Sequence, residues 1–232
     1  MKIDKILNDT KHLHWQEKLL YIAKKFSEIT FSTSFGIEDQ VIHDFIARKN
    51  LQFVIFTIDT GRLPSETYEV WHRNLNKYEK KISVFYPQNE QLENFVNSNG
   101  INGFYNSKDL RLKCCEIRKI EPLSRALKGK KIWISGLRRE HSLDRSQKNF
   151  FEYDNNYNLI KFYPLLDLRL DDVWNYIKEN NVPYNKLYDK GYKSIGCAPC
   201  SRATEEHEDI RAGRWWWESD SHKECGLHLR NK

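Results

Sequence analysis

Five cysteines, at positions 114, 115, 197, 200 and 225, are the residues most able to do chemistry. Four form two tight pairs, Cys114-Cys115 and Cys197-Ala198-Pro199-Cys200, and Cys225 stands alone near the C-terminus. An odd count argues against a disulfide framework, and adjacent Cys114-Cys115 is a poor geometry for a bridge. Four thiolates can instead hold zinc or an iron–sulfur cluster. Structural zinc usually takes two separated cysteine knuckles, whereas one pair here is adjacent. A cluster offers four separate iron corners, so the spacing favours iron–sulfur over zinc. Two further readings need no metal: Cys197 and Cys200 as a redox C-x-x-C, and Cys114 and Cys115 as plain buried thiols. Cys225, set in Lys223-Glu224-Cys225-Gly226-Leu227-His228, reads as a low-pKa nucleophile or as an inert surface thiol.

Three polar turns accompany these thiols. Ser32-Thr33-Ser34-Phe35-Gly36-Ile37-Glu38-Asp39 follows a strand pattern and opens a helix pattern. Hydroxyls and a glycine at such a junction let backbone N–H groups and the helix dipole meet a phosphate. The plainer alternative is a strand–helix turn capped by a serine. Asp59-Thr60-Gly61-Arg62 offers donors and acceptors for a ribose or base edge, and Arg62 a fork for an anion. Gly136-Leu137-Arg138-Arg139, followed by Asp144-Arg145, provides arginines that either clamp an anionic group or form a solvated basic loop. Near the C-terminus, Arg211-Ala212-Gly213-Arg214-Trp215-Trp216-Trp217 either stacks on bases or docks the tail onto the body, and docking is the simpler use.

The elements that must position these groups alternate. Helical spacing covers 12–27, 38–48, 64–80 and 92–97, with strand patterns at 29–34, 51–58, 81–86 and 131–135. Another helix is expected from Cys115 to Leu127, ended or kinked by Pro122. Phe150–Tyr153 and Leu159–Tyr163 flank Asp154-Asn155-Asn156 as a hairpin, and Asp171 is expected to cap a helix through Lys178. The β-α-β alternation predicts an α/β fold, a doubly wound, mostly parallel sheet with helices on both faces. The 232 residues are enough for one domain, read as a body at 1–205 and a C-terminal tail at 206–232. Thirty-eight basic against 32 acidic residues leave a net charge of +6, which suits an anionic ligand without demanding nucleic acid. No apolar run approaches the roughly 20 residues of a membrane span, and the N-terminus lacks a secretory core, so a cytoplasmic location is expected.

Taken together, these motifs resemble one family, the assimilatory sulfonucleotide reductases, and within it the bacterial iron–sulfur adenosine 5′-phosphosulfate (APS) reductases. The resemblance runs in order from about Phe31 to His228. It rests on the serine-rich loop, Asp59-Thr60-Gly61-Arg62, Cys114-Cys115-Glu116-Ile117-Arg118-Lys119, Gly136-Leu137-Arg138-Arg139, the Cys197/Cys200 pair and Glu224-Cys225-Gly226-Leu227-His228. It implies an adenine-nucleotide α-hydrolase fold related to the PP-loop ATP pyrophosphatases. It implies a 4Fe-4S cluster on Cys114, Cys115, Cys197 and Cys200, and catalysis by Cys225, which attacks the sulfate sulfur of APS and expels AMP. The resulting S-sulfocysteine is then released as sulfite by a thioredoxin or glutaredoxin thiol.

The resemblance also assigns substrate contacts: Ser32, Ser34, Arg62 and Gly136 for the adenosine phosphate portion, with Arg138 nearby, and Lys119, Arg211 and Arg214 as cations at the sulfate. His228 is placed as a residue that orients the tail or hydrogen-bonds the ligand. The tail is expected to open and close from about Glu206. The family also contains enzymes for 3′-phospho-APS (PAPS) and dual-use members, and it includes homo-oligomers. Rival readings are a tRNA-thiolating relative of the ATP pyrophosphatases, a metal-stabilised RNA-binding module and a zinc scaffold. The first normally carries Ser-Gly-Gly-x-Asp-Ser, which Ser34-Phe35-Gly36-Ile37-Glu38-Asp39 does not match. The second leaves Cys225 unexplained, and the third leaves both nucleotide-facing turns unexplained.

Overall fold

A computed structural model describes residues 3–141, 145 and 147–218. Six strands form one sheet in the order β3-β2-β1-β4-β6-β5. They are β1 (Ile29–Ser32), β2 (Val54–Ile58), β3 (Ile82–Phe85), β4 (Ile132–Ile134), β5 (Phe151–Asp154) and β6 (Leu159–Phe162). The β1–β2, β1–β4 and β4–β6 pairs are parallel, and β5–β6 is antiparallel. The expected mostly parallel α/β sheet is therefore present, with the hairpin where the sequence put it. In that hairpin Asp154 Oδ1 accepts from the N–H of Asn156 at 2.9 Å and of Tyr157 at 3.2 Å, and Phe151 stacks on Phe162.

The helices are α1 (Ile3–Thr10), α2 (Trp15–Lys25), α3 (Ile37–Arg48), α4 (Ser65–Tyr78), α5 (Asn89–Asn99), α6 (Lys108–Cys115), α7 (Glu121–Leu127) and α8 (Leu170–Glu179). Helix α3 is buried nearly all round, and its apolar Val41, Ile42 and Ile46 sit in the core with Phe31, Ile132 and Phe162. Its buried polar residues need internal partners. Asp44 accepts from the hydroxyls of Tyr78 and Tyr176, each at 2.8 Å, and the Gln40 amide donates to Pro183 O at 2.7 Å.

Two expectations are corrected. Cys115 to Leu127 is not one helix broken at Pro122. Helix α6 ends at Cys115, a π-helical turn spans Glu116–Ile120, and α7 follows. Glu121 N–H donates five residues back to Glu116 O, so the ladder is already shifted where Pro122 contributes no N–H. Nor does Asp171 cap α8. Arg169 is the N-cap, its N–H donates to Asp172 Oδ2 at 3.1 Å, and Asp171 sits in the first turn, where its charge suits the helix dipole.

The chain divides into two compact units. The first takes the chain up to Thr57, Ser65–Ser83 and Leu127–Lys186; the second takes Ile58–Pro64, Val84–Ala126 and the chain from Leu187. Among the described residues no helix is long and apolar enough to cross a membrane.

Candidate active site

In the first unit the serine-rich turn closes on the start of α3. Asp39 Oδ2 accepts from the Ser34 N–H at 2.7 Å and from the Ser34 hydroxyl at 2.8 Å. Gly136 is pressed against the same carboxylate: a Cβ there would lie 2.4 Å from Asp39 Oδ1 and 2.9 Å from Glu38 Cβ. Ser32 Oγ, at the end of β1, accepts from Trp133 Nε1 at 2.8 Å. Burial pushes Asp39 up to about 6, against the hydrogen bonds from Ser34 that favour its charged form; Glu38 adds to the rise and the Gly136 N–H opposes it. Burial acts on Glu38 too, yet His141 and Arg138 outweigh it and hold Glu38 at about 2. Arg138 is buried and donates through Nε to Glu38 at 2.8 Å and through Nη1 to Glu140 and Leu168 O. Ser32, Ser34, Gly136 and Arg138 thus share one neighbourhood, with Arg138 engaged by internal carboxylates.

The second unit gathers the thiols. Ser107 caps α6 by accepting the Leu110 N–H at 3.2 Å, and α6 carries Cys114 and Cys115 at its C-terminal end. Cys197 and Cys200 flank a 3-10 turn closed by Cys200 N–H on Cys197 O at 2.9 Å. That turn is joined to the loop after β2 twice. Ala198 N–H donates to Arg62 O at 2.7 Å, and Thr60 Oγ1 lies 3.3 Å from Cys197 Sγ. All four cysteines line one cavity with Arg62, Phe104, Arg111, Arg118, Lys119, Pro199, Arg214 and Trp215. No carboxylate is among these lining residues, while five cations are.

The arginines of this centre are each fixed by a partner or a ring. Arg62 forks onto Ile101 O at 2.9 Å and Asn102 Oδ1 at 2.8 Å. Arg118 donates to Thr60 O at 2.5 Å. Arg214 donates through Nε to Cys200 O at 3.1 Å, and Arg111, Arg214 and Arg211 lie over the Trp215 ring at 4.7, 4.8 and 5.9 Å. Trp215 is fully buried, so docking is the use this tryptophan finds.

Does this centre fit an iron–sulfur group? Burial raises Cys114, partly offset by Arg118, with Cys197 adding to the rise. Burial and the neighbouring Cys197 push Cys200 up to about 12, against Lys119 and Arg214. A redox pair needs an accessible thiol of low pKa, so the C-x-x-C reading is disfavoured. Four thiols at one cavity, ringed by cations and free of disulfides, are the donor type an anionic metal–thiolate group takes. Among the described residues, no three or more His, Cys, Asp or Glu side chains are gathered as the ligand set of a single metal ion. By donor type, and not by their present spacing, the four thiols suit an iron–sulfur group. Cys225 and His228 lie outside the described residues.

Three participants escaped the sequence reading. Gly196 is one: a Cβ there would sit 2.2 Å from Arg214 Nη2, so only glycine leaves room for that guanidinium against the cysteine turn. Its place beside Cys197 was the available signal. Arg118 was quoted as part of a motif without a role. Arg111 carried no signal beyond its place four residues before Cys115.

The mostly parallel sheet with its helices places the molecule among the α/β proteins. Yeast FAD synthetase shares that fold alone, with a TM-score of 0.55 at 16% identity, covering 88% of this chain and 70% of the other. Residues 28–203 match the phosphoadenosine phosphosulfate reductase domain, and the chain belongs to that family. It is 45% identical over 214 residues to the adenosine 5′-phosphosulfate reductase of Allochromatium vinosum, covering 92% of this chain and 84% of the relative. It is 46% identical to the enzyme of that name from Neisseria meningitidis serogroup A, covering 92% and 88%. The phosphoadenylyl-sulfate reductase of Candida auris, solved as a phosphate complex, superimposes with a TM-score of 0.75 at 30% identity, covering 86% of this chain and 97% of the other.

Proposed function

We propose that this chain reduces adenosine 5′-phosphosulfate to sulfite and AMP with thiols of the thioredoxin or glutaredoxin type, in the reducing cytoplasm, as a step of sulfate assimilation. The observation that carries this reading is the cavity of four cysteines ringed by five cations, in a chain of the sulfonucleotide reductase family. In the proposed reaction the Cys225 thiolate attacks the sulfate sulfur. An S–S bond forms, the bond from sulfur to the bridging oxygen breaks, and AMP leaves with the electron pair. A reductant thiolate then attacks Cys225 Sγ and expels sulfite. The reductant's second thiol resolves the mixed disulfide, so the reductant ends as a disulfide and Cys225 as a thiol.

The chain's own residues account for the charge in this scheme. Sulfate oxygens repel a thiolate, so the approach needs fixed cations, and Lys119, Arg211 and Arg214 are assigned that work. The same cations would favour the thiolate form of Cys225 when it approaches. Ser32, Ser34 and Gly136 are assigned to the adenosine phosphate part, Arg62 to an anion and His228 to orienting the tail. Cys114, Cys115, Cys197 and Cys200 would hold a 4Fe-4S cluster, which when bound supplies a local field and a structural centre. Glu38 and Asp39, in the first turn of α3, place negative charge beside the serine-rich turn, which favours substrate without a 3′-phosphate.

The test is anaerobic incubation of the purified protein with APS and no reductant, followed by intact mass spectrometry. Parallel samples carry Cys225→Ser or receive PAPS. A sulfite-sized adduct on the wild type, absent from Cys225→Ser and removed by thioredoxin, is expected. Absence of an adduct with either nucleotide, in protein with a full iron–sulfur absorption band, would overturn the reading. A stronger adduct from PAPS would transfer the assignment to that substrate.

A further inference from the structure

Arg111 lies at the thiol centre, and no step of the proposed reaction uses it. It is 2% exposed, and its fork is committed: Nε and Nη2 donate to the two carboxylate oxygens of Glu218 at 2.8 and 2.7 Å. Its guanidinium covers the Trp215 ring at 4.7 Å, and it lies four residues before Cys115 on α6. Glu218 N–H in turn donates to Trp215 O at 2.9 Å, closing a turn in which Trp215 holds a left-handed φ of 43°. A bulky residue keeps that backbone only where its surroundings over-determine it.

We infer that the Arg111–Glu218 pair anchors the base of the segment that carries Cys225, so that residues up to Glu218 stay docked through the reaction and Arg111 and Glu218 act as positioning residues. The inference rests on the proposed function, because it gives the fixed point a reason. Cys225 must meet a substrate sulfur and then a protein thiol. Arg214, tied to Cys200 O and packed on Trp215, must keep its place while Cys225 changes partners. An anchor after Arg214 and before Cys225 separates the two demands. A buried bidentate pair suits this role, since parting it leaves an uncompensated buried charge.

If the anchor fails, the ties that remain before it are the Ser201–Arg214 bridge and the Arg202–Glu208 pair.

Glu218→Ala and Glu218→Gln test this in the full-length, metal-loaded protein. Four quantities are read: amide exchange over residues 212–217, the single-turnover rate of S-sulfo adduct formation, AMP affinity and iron content. Expected for Glu218→Ala are at least tenfold faster exchange around Trp215 and an at least twofold fall in adduct rate. AMP affinity and iron content should hold, with Glu218→Gln intermediate. Unchanged exchange would overturn the anchor, and so would an unchanged adduct rate after protection is lost. A parallel fall of rate, AMP affinity and iron would also overturn it, by making the pair a plain support of the metal site. If the wild type forms no adduct, the reductase reading fails by itself, and the exchange result alone then decides whether the anchor exists.

Discussion

Replacing Glu38 with glutamine isolates the charge that organises the turn before α3. Glu38 is buried, its partner Arg138 has a side chain 2% exposed, and His141 Nε2 lies 3.0 Å from the same carboxylate oxygen. Burial by itself would raise this carboxyl, but His141 and Arg138 bring it from 4.5 to about 2. A carboxylate depressed in the folded state adds stability that is complete above its unfolded pKa. That stability is lost as pH falls toward its folded pKa, here between about 4.5 and about 2. At roughly 1 kcal/mol or a little more per unit, the contribution at pH 7 is about 3 kcal/mol, and at pH 3 it has fallen to about half of that. The first figure lies at the edge of the roughly 3–5 kcal/mol seen when one partner of a buried pair is removed. One offset is expected, because Asp39 loses a neighbouring negative charge. Glu38→Gln should therefore lower the urea midpoint at pH 7 by roughly 1 M, for a slope of about 3 kcal/mol per molar, and by half that or less at pH 3. A loss that is the same at pH 7 and pH 3, or one under about 1 kcal/mol at pH 7, would refute the reasoning. The site would then treat the carboxylate as no more than a neutral acceptor.

Asp39 should show the opposite slope. Its folded-state value is raised to about 6, so its charge costs stability as pH rises through the range from 3.8 to about 6. Asp39→Asn is expected to match the wild type near pH 4 and to gain up to about 3 kcal/mol at pH 7, read from urea midpoints at the two pH values. A variant less stable than wild type at pH 7 would show that the Ser34 bonds need the charge. Gly196→Ala would force the Arg214 guanidinium off the Cys200 carbonyl and the Trp215 ring, at a cost of about 2–4 kcal/mol for overpacking and a lost charged hydrogen bond. Alkylation of Cys197 and Cys200, followed by mass spectrometry, should speed up in that variant. Unchanged alkylation and an unchanged midpoint would show that Arg214 has a second seat.

The alternating strands and helices were legible because their apolar residues carry the period of each element. The β5–β6 hairpin is the clearest case, with Phe151 and Phe162 paired in register across an Asp-Asn-Asn turn. Helix α6 was not legible, for a physical reason. Its buried positions are Arg111 and Cys115, and the two leucines of Lys108-Asp109-Leu110-Arg111-Leu112-Lys113 stand two residues apart, which is not a helical spacing. The π-helical turn that follows was hidden too. Cys115, Glu116 and Glu121 all keep right-handed helical dihedrals, and only the hydrogen-bond partner of Glu121 changes. Asp171 was misread as a cap because an acidic residue before an apolar run suits both the cap and the first turn, and the choice depends on which backbone N–H is left open.

The site divides along the same line. Cysteine is rare enough in this chain for four positions to declare themselves, and the structure brings all four to one cavity. Lysine and arginine number 38, and for most of them a solvated face is the default, so residue type cannot single out the few that turn inward. Arg111, Arg118, Arg138 and Arg214 are buried, each against a partner far away in sequence: Glu218, Thr60 O, Glu38 and Cys200 O. Such pairings exist only after the chain has folded. The sequence could therefore show which atoms would do chemistry, while the charges that make it possible became visible only as packing. Gly196 joins the two levels. A side chain too small to draw notice is what lets Arg214 reach the cysteine turn, and the distance of 2.2 Å that an added Cβ would leave to Arg214 Nη2 states that dependence as a number.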